Sequence, residues 1–251
     1  MVVGRRCSML ATQLLGLLGR GRPPAPRAVR LLRGDIALSR AEAIAVSANP
    51  SLEGTRRANH WAFAGRANAD GAVRAAGGEA LAAAAARLAA AHAPVQPGTA
   101  LVSPAGGSLH ARWVVHCVAP DATALRGAPA GERVAALQRA YAAAIGAAAA
   151  AGATSLALPA MGAGIAGFDP TEAGAAAFGA ARAWLECGAD GTRRGAAGAA
   201  RAQRLRTVEY VVWSDHVWAC WPACAARELG AADARVAEKM PLVASQWTAT
   251  G

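Results

Sequence analysis

A glycine-spaced loop at residues 162–167 has the residue types that hold phosphate. It follows an apolar segment, 155–158, and precedes a segment of helical character. Glycine lets the backbone approach a ligand closely, and the N–H groups of such a loop, beside a helix N-terminus, suit an anion. Asp169, Pro170 and Glu172 match an N-cap, a first-turn proline and a capping-box partner, so a helix is predicted to start here. The same pattern also fits an ordinary strand-to-helix connection.

Further short motifs lie upstream of this loop. The chain reads Gly-Asp-Ile at 34–36, Ser-Ala-Asn at 47–49, Asp-Gly-Ala at 70–72 and, near the end of an apolar run, His116. In this order, together with the Pro-Ala pair and the glycine loop, these segments resemble the macro domain family over about residues 28–218. The resemblance implies a three-layer α/β/α sandwich with a mixed central sheet, and ADP-ribose or ADP-ribosylated protein as the ligand.

The resemblance assigns the adenine and the diphosphate of ADP-ribose to two groups of residues. Asp35 would accept a hydrogen bond from the adenine amino group, and the Ile36 N–H group would meet another edge of the ring. The alternative for Asp35 is a cap on the turn after the first strand. The diphosphate would lie between two loops, formed by Gly71, Ala72 and Val73 and by Gly162, Ala163, Gly164, Ile165, Ala166 and Gly167.

By the same resemblance, Asn49 and Asp70 are the candidate catalytic residues. Their amide and carboxylate would hold the distal ribose and position a water that hydrolyses ADP-ribosyl or O-acyl-ADP-ribose linkages. Each residue also has a purely structural interpretation, an Asx turn for Asn49 and an N-cap for Asp70. Trp213, at the end of the last predicted strand, would stack on adenine, and the alternative is a tryptophan of the core.

Three departures from the family pattern affect the distal ribose. Val46 stands where many members have a first asparagine, and residues 53–68 form an insertion in place of a glycine run. Ala166 stands where an aromatic residue commonly flanks the ribose, and Phe168 follows two positions later. These departures leave two alternatives to hydrolysis. One is a reader that binds ADP-ribose without turnover, and the other is a basic, nucleic-acid-associated protein with a vestigial pocket.

The elements that must position these residues alternate along the chain. Apolar runs typical of buried strands occur at 29–32, 43–47, 100–103, 113–118, 155–158 and 208–213. Helices are predicted at 71–92, 132–151, 170–187 and, in the C-terminal part, 225–239. This alternation predicts an α/β protein with helices on both faces of a sheet.

Most of the 251 residues are expected to form one domain. It spans 27–222 with insertions near 53–68 and 188–206, after a basic extension at 1–26 and before a helix and flexible tail at 223–251. No acidic residue precedes Asp35, whereas arginines are frequent there, as in organellar transit peptides. A disordered tail without a targeting role is the alternative, so we expect an intracellular protein of mitochondrion, chloroplast, cytoplasm or nucleus.

The net charge is +10 at pH 7, and Lys239 is the only lysine. An arginine excess indicates nucleic-acid binding when the arginines cluster on one face, which a sequence alone does not show. Nucleic acid is therefore a partner that the sequence allows but does not favour. The uncharged stretch at 140–168 is broken by glycine and proline, so no membrane span is predicted.

Five cysteines in a chain of this length favour a reduced, intracellular protein over a disulfide scaffold. His216, Cys220 and Cys224 recur every four residues, which is the spacing of one helix face. No fourth ligand is evident, however, and Pro222 argues against a regular helix there. We therefore expect no metal. We also expect no other cofactor, and a monomer.

Overall fold

The computed structural model describes residues 27–54, 68–187, 204–230 and 234–239. In these ranges the strands are β1 (Ala28–Arg33), β2 (Ala43–Ala48), β3 (Ala100–Pro104), β4 (Trp113–Val118), β5 (Ser155–Pro159), β6 (Thr207–Val212) and β7 (Ala234–Lys239). The helices are α1 (Ala69–His92), α2 (Ala130–Ala150), α3 (Pro170–Glu186), α4 (Asp215–Trp218) and α5 (Trp221–Leu229), and a 3-10 turn, Ile36–Leu38, follows β1. The six predicted strands and the three predicted main helices are confirmed within a few residues.

The strands form one mixed sheet in the order β3-β4-β2-β5-β6-β1-β7. β3 runs antiparallel to β4, and the other neighbouring strands are parallel. β2 pairs with β4 over its whole length, but its register with β5 stops at Ile44 and Ala157. The two central strands therefore separate toward their carboxyl ends, which is where open α/β sheets form binding crevices.

Helices cover both faces of the sheet, which confirms the three-layer sandwich. Side chains alternate along β2: Ile44 and Val46 join the core beneath α1, whereas Ala43 and Ala45 join the core beneath α2 and α3. The second core contains four aromatic rings packed edge to face, those of Tyr141, Phe178, Tyr210 and Trp221. Because Trp221 begins α5, that helix is part of the same core.

Helix α1 consists of two segments that meet at Gly78, whose φ of 58° lies in the left-handed region. The loop after β3 packs against this bend, where the Ser108 N–H group donates to the Ala76 carbonyl at 2.8 Å. A Cβ on Gly107 would lie 2.0 Å from that carbonyl oxygen, so no other residue fits there without a backbone shift. The loop after β3 and the bend in α1 are therefore packed closely together.

The C-terminal part differs from the predicted helix at 225–239, which is wrong in both bounds. Helix α5 starts at Trp221 with Pro222 in its first turn, a position where proline costs no hydrogen bond. It ends at Leu229, and Gly230 follows with a φ of 78°. Ala234–Lys239 then form β7, which pairs in parallel with β1. Such an edge strand depends on a partner two hundred residues away, so local pattern does not reveal it.

Three predicted segments lie largely or wholly outside the described residues. They are the N-terminal extension at 1–26, most of the insertion at 53–68 and most of the insertion at 188–206. Among the helices that the structure does describe, none is both long and apolar enough to cross a membrane.

Candidate functional site

A cavity of about 210 Å³ opens at the carboxyl ends of β1, β5 and β6, beside the N-terminus of α1. Its wall is mainly apolar, and Asp35 is the only charged residue among the described residues that line it. The cavity brings together several residues that the sequence predicts for ligand binding, namely Asp35, Ile36, Ala72, Ala163, Gly164 and Trp213. The predicted adenine end and part of the glycine loop therefore meet in one place.

Asp35 caps a turn and lines the cavity as well. Its Oδ1 accepts a hydrogen bond from the Ala37 N–H group at 2.9 Å, which holds the 3-10 turn after β1. Its second carboxylate oxygen has no hydrogen-bond partner within the described ranges. A carboxylate has lone pairs for several donors, so the capping role and a ligand contact are compatible.

Trp213 follows β6 directly and is 53% exposed, although it lines the cavity. The alternative of a core tryptophan is therefore wrong. An exposed indole face beside an apolar cavity is suited to stacking on a flat ring. Ile36 lies on the same wall but is buried in the core below it, so its side chain supports the cavity floor.

The loop at 162–167 takes its shape from Gly162. The φ of this glycine is 88°, and a Cβ there would lie 2.6 Å from the Leu137 side chain. After it, the N–H groups of Gly164, Ile165 and Ala166 have no hydrogen-bond partner in the part of the chain described. Consecutive unpaired N–H groups are what the predicted phosphate contact requires.

Two residues of the predicted ligand site, Phe168 and Val73, have buried side chains. Phe168 is 4% exposed and packs in the core, and its N–H group donates to the Gly162 carbonyl at 3.0 Å. Val73 is completely buried beneath α1. Burial of a large apolar side chain is worth about 1.5–3 kcal/mol, so both side chains contribute to the stability of the core.

Helix α1 is capped by Asn68 and not by Asp70. The Asn68 side chain accepts the Gly71 N–H group at 2.8 Å, and its carbonyl accepts the Ala72 N–H group at 2.9 Å. Both N–H groups are engaged in capping the helix, so neither is unpaired for the diphosphate contact predicted at Gly71 and Ala72. The structural interpretation of Asp70 as an N-cap is wrong, because Asp70 is the second residue of the helix.

Asp70 is nearly buried and is paired with Arg74, one helical turn later. The Arg74 Nε atom lies 3.0 Å from each carboxylate oxygen, and Arg74 Nη2 donates to the Leu52 carbonyl at 2.9 Å. Asp70 is 4% exposed, so the positive charge is needed to compensate a carboxylate removed from water. Arg74 also ties helix α1 to the loop after β2.

Asn49 lies in the loop after β2, close to the Arg74 guanidinium. Its Nδ2 group donates to the Gly54 carbonyl at 3.0 Å, and its Oδ1 accepts a hydrogen bond from Ser51 at 3.3 Å. A Cβ on Gly54 would lie 2.5 Å from Arg74 Nε, so the guanidinium occupies the space beside that glycine. We call Asn49, Gly54, Asp70 and Arg74 the Arg74 hub. It brings the two predicted catalytic residues together, but outside the wall of the cavity.

His116 is buried close to the hub and is held by Ser103. The Ser103 hydroxyl donates to the Pro104 carbonyl at 3.1 Å, so it accepts from His116 Nε2 at 2.9 Å. Nδ1 is then the unprotonated nitrogen, and it has no partner in the described part of the chain. Burial, and to a lesser degree the charge of Arg74, lower the pKa of His116 from 6.5 to about 4. The imidazole is therefore neutral at physiological pH.

Within the described residues, no three histidine, cysteine, aspartate or glutamate side chains come together in a cluster that could hold a metal ion. The spaced trio at 216, 220 and 224 is divided by the structure, because Cys224 is buried against α3 with its thiol facing the Thr171 carbonyl. Sequence reasoning did not identify Asn68 or Arg74. Asn68 has the residue type of an N-cap, and Arg74 lies four residues after Asp70, the spacing of a helical ion pair.

Residues 47–177 match the family model described as Macro domain, and this range is more than half of the 251-residue chain. The chain belongs to the macro domain family. The matched range begins within β2 and ends within α3, so it contains the Arg74 hub and the glycine loop. No curated protein sequence matched the chain.

Solved macrodomain structures share the fold of this chain at low sequence identity. A variant of the Oceanobacillus iheyensis macrodomain with ADPR is 19% identical, with a TM-score of 0.60 over 79% of this chain and 91% of that one. The Oceanobacillus iheyensis macrodomain with ADP is 19% identical, with a TM-score of 0.58 over 79% and 90%. The Trypanosoma brucei macrodomain in complex with ADP-ribose is 23% identical, with a TM-score of 0.56 over 78% and 68%. These similarities establish the macrodomain fold.

Proposed function

We propose that this chain binds ADP-ribose, free or attached to protein, in the cavity at the carboxyl ends of β1, β5 and β6. The observation that carries the proposal is that Asp35, Trp213 and the glycine loop line one cavity. Membership of the macro domain family supports it, as do the solved macrodomains with ADP-ribose or ADP.

Each part of ADP-ribose has a matching group in this proposal. The free oxygen of Asp35 accepts the adenine amino group, and the Trp213 face stacks on the ring. The unpaired N–H groups of Gly164, Ile165 and Ala166 receive the diphosphate, because the described wall of the cavity carries no cation to do so. Stacking and hydrogen bonding then select adenine, and the loop selects the phosphates.

Isothermal calorimetry with the full chain tests this proposal, using ADP-ribose as the ligand and AMP and NAD as controls. We expect micromolar affinity for ADP-ribose, near −8 kcal/mol in free energy, because several groups contribute at once. AMP should bind more weakly, since it lacks the second phosphate and the distal ribose. No heat with ADP-ribose at high protein concentration would overturn the proposal.

Hydrolysis of ADP-ribosyl or O-acyl-ADP-ribose linkages is the second candidate function, with a water positioned by Asn49 and Asp70. Its support is the Arg74 hub, which brings both residues together at the start of α1, where the helix favours an ionised carboxylate. In the structure, however, Arg74 occupies the Asp70 carboxylate and Gly54 occupies the Asn49 amide. Turnover requires the guanidinium to leave Asp70, so we expect a reader that binds without measurable turnover.

A release assay separates the reader from the hydrolase. Wild-type chain and Asp70→Asn are incubated with a mono-ADP-ribosylated protein and with O-acetyl-ADP-ribose, and free ADP-ribose is measured. A reader gives no release above the rate without protein in either case. Release by the wild type that Asp70→Asn abolishes, with ADP-ribose affinity retained, would establish the hydrolase instead.

A further inference from the structure

The amino ends of the five parallel strands from β4 to β1 form a second charged feature, at the opposite end of the sheet from the cavity. The residue immediately before each strand, in sheet order, is Arg112, Glu42, Thr154, Arg206 and Arg27. Hydrogen bonds link neighbours along this row: Arg112 N–H donates to Glu42 O, Thr154 N–H to Glu42 Oε2, Arg206 N–H to Thr154 O, and Ala28 N–H, next to Arg27, to Arg206 O. We call these five residues and Arg204 the arginine ledge.

The ledge carries four arginines and one carboxylate, all in the described part of the chain. Arg204 lies beside the turn at Gly152, which follows helix α2. A hydrogen bond from the Thr154 N–H group, followed by the charges of Arg112 and Arg204, lowers the pKa of Glu42, so this single carboxylate is ionised. Four arginines and one ionised glutamate give the ledge a net positive charge. Arg112 and Arg204 are exposed.

Like charges approach each other at one end of the ledge. Burial, and after it the charge of Arg206, lower the pKa of the Arg27 guanidinium. The helix dipoles of α2 and α3, whose C-termini lie at this end, favour nearby cations and give a structural reason for isolated arginines. That reason applies to each arginine separately, whereas a polyanion that spans neighbouring arginines also relieves their mutual repulsion.

A tryptophan ring lies beside an arginine at each end of the ledge. The Arg112 guanidinium lies over the Trp113 ring at 5.7 Å, and the Arg27 guanidinium lies over the Trp184 ring at 4.9 Å. Both rings are partly exposed. Cations interleaved with aromatic faces are the combination that binds unpaired bases and their phosphates together.

We propose that the arginine ledge binds single-stranded nucleic acid. Five strands at about 4.8 Å spacing give a ledge of about 19 Å, which is about five stacked nucleotides at 3.4 Å each. The arginines contact phosphates, and the tryptophan faces at the two ends accept bases. An anionic membrane surface needs no aromatic faces at fixed spacing and favours an apolar insertion that the ledge lacks. This surface is separate from the ADP-ribose cavity, so the two sites bind independently.

Fluorescence anisotropy with the full chain tests the proposal. The probes are labelled oligouridylate and oligothymidylate of about 12 nucleotides, within the site sizes of known single-strand binders. The test variant is Arg112→Gln/Arg206→Gln, and the matched control is Arg87→Gln/Arg139→Gln, which removes two exposed arginines of α1 and α2. Both variants reduce the net charge of +10 by two, so a difference between them reports position and not charge.

We expect the ledge variant to lose roughly tenfold in affinity for one or both probes, and its slope of log K against log salt to fall by about 1.4, which is two phosphates at 0.7 each. The control variant should retain affinity within about twofold, because its arginines lie outside the ledge. Binding to RNA alone, to DNA alone or to both supports the proposal, and identifies which strand chemistry the ledge prefers. Saturating ADP-ribose should not displace either probe.

Equal losses in the two variants would overturn the proposal, as would undetectable binding of both probes by the wild type. Stronger binding of a duplex of the same length would overturn the single-strand assignment. Sedimentation with phosphatidylserine vesicles is run in parallel, and vesicle binding that requires the ledge without oligonucleotide binding would identify a membrane surface instead. Melting temperatures of both variants confirm that each is folded.

Discussion

The two halves of the predicted ADP-ribose site are built differently. At the adenine half, Asp35 keeps one oxygen without a described partner and Trp213 exposes half of its surface beside an apolar cavity. At the distal half, the Asn49 amide group, the Asp70 carboxylate and Arg74 Nε are each hydrogen-bonded within the Arg74 hub, and Asp70 is almost completely buried. The first half is arranged to receive a ligand, and the second is arranged to hold loop and helix together.

This difference separates affinity from stability in a way that substitutions can test. Changes at the hub should lower the free energy of unfolding and leave adenine recognition intact. Changes at the adenine half should lower affinity and leave stability nearly unchanged. If changes at the hub lowered affinity and changes at the adenine half lowered stability, the two halves would have the opposite roles.

Arg74→Met should have the largest effect. It removes the guanidinium group paired with Asp70, and breaking a buried ion pair costs about 3–5 kcal/mol, so we expect the free energy of unfolding to fall by about 3 kcal/mol in chemical denaturation. Affinity for AMP should change by less than about threefold, which is under ~0.7 kcal/mol.

Two further variants are controls for this prediction. Arg87→Met, on the exposed surface of the same helix, should stay within about 0.5 kcal/mol of the wild type. Asp70→Asn combined with Arg74→Met should recover part of the loss, because the buried side chain at position 70 is then neutral. Equal stability of Arg74→Met and Arg87→Met would refute a structural role for the hub.

Acid should destabilise the protein through His116. The folded-state pKa of about 4 lies below the unfolded value of 6.5, so between these pH values the unfolded chain binds a proton that the folded chain does not. The free energy of unfolding should therefore fall as pH drops from about 6.5 to 4, by about 1.4 kcal/mol per unit and about 3 kcal/mol in all.

Urea denaturation of wild type and His116→Leu at several pH values measures this contribution. The difference between the two profiles should be steep across that window and flat above pH 7. Adding Arg74→Met should raise the folded-state pKa of His116 and so narrow the pH window of this loss, since one cause of the shift is then removed. Parallel profiles for the wild type and His116→Leu would disprove the assignment.

Trp213→Ala should weaken ADP-ribose and AMP by the same factor. Stacking on an aromatic side chain is worth about 1–3 kcal/mol, so the dissociation constants should rise about 5- to 150-fold in calorimetry. The free energy of unfolding should change by less than about 0.5 kcal/mol, because the side chain is largely exposed. Trp213→Phe should retain most of the affinity. A strong loss of stability with unchanged affinity would show that Trp213 has a structural role and does not bind adenine.

Asp35→Asn should have a smaller effect and change selectivity. The amide oxygen still caps Ala37, but the second atom becomes an NH₂ donor that faces another donor on adenine. We expect a loss of about 1.5 kcal/mol for AMP, roughly tenfold. IMP, which lacks the amino group, should bind the variant at least as well as AMP does. A variant that still prefers AMP over IMP would show that Asp35 does not read adenine.

The sequence predicted the elements whose signals are local. The six strands are short apolar runs, and α3 starts at a recognisable cap, Asp169, so both could be located without tertiary information. β7 could not, because its pairing with β1 joins the two ends of the domain. The end of α5 does have a local signal, the glycine at position 230, although the helix predicted at 225–239 runs past it.

The site was predicted in the same uneven way. Asp35 and Trp213 follow strands, so their place at the cavity follows from strand order and the family resemblance. The distal half depends on which oxygens are already engaged, and sequence does not show that Arg74, and not a ligand, occupies Asp70. The arginine ledge could not be predicted either, because its members are adjacent only once the sheet has formed.

A crystal structure of the full chain with ADP-ribose tests whether the adenine half of the site binds the ligand while the Arg74 hub stays in place. We expect adenine stacked on Trp213 with its amino group on Asp35, the diphosphate at Gly164, Ile165 and Ala166, and the pair between Asp70 and Arg74 still intact. Adenine bound elsewhere, or a distal ribose that has displaced Arg74 from Asp70, would contradict the division between a binding half and a structural half.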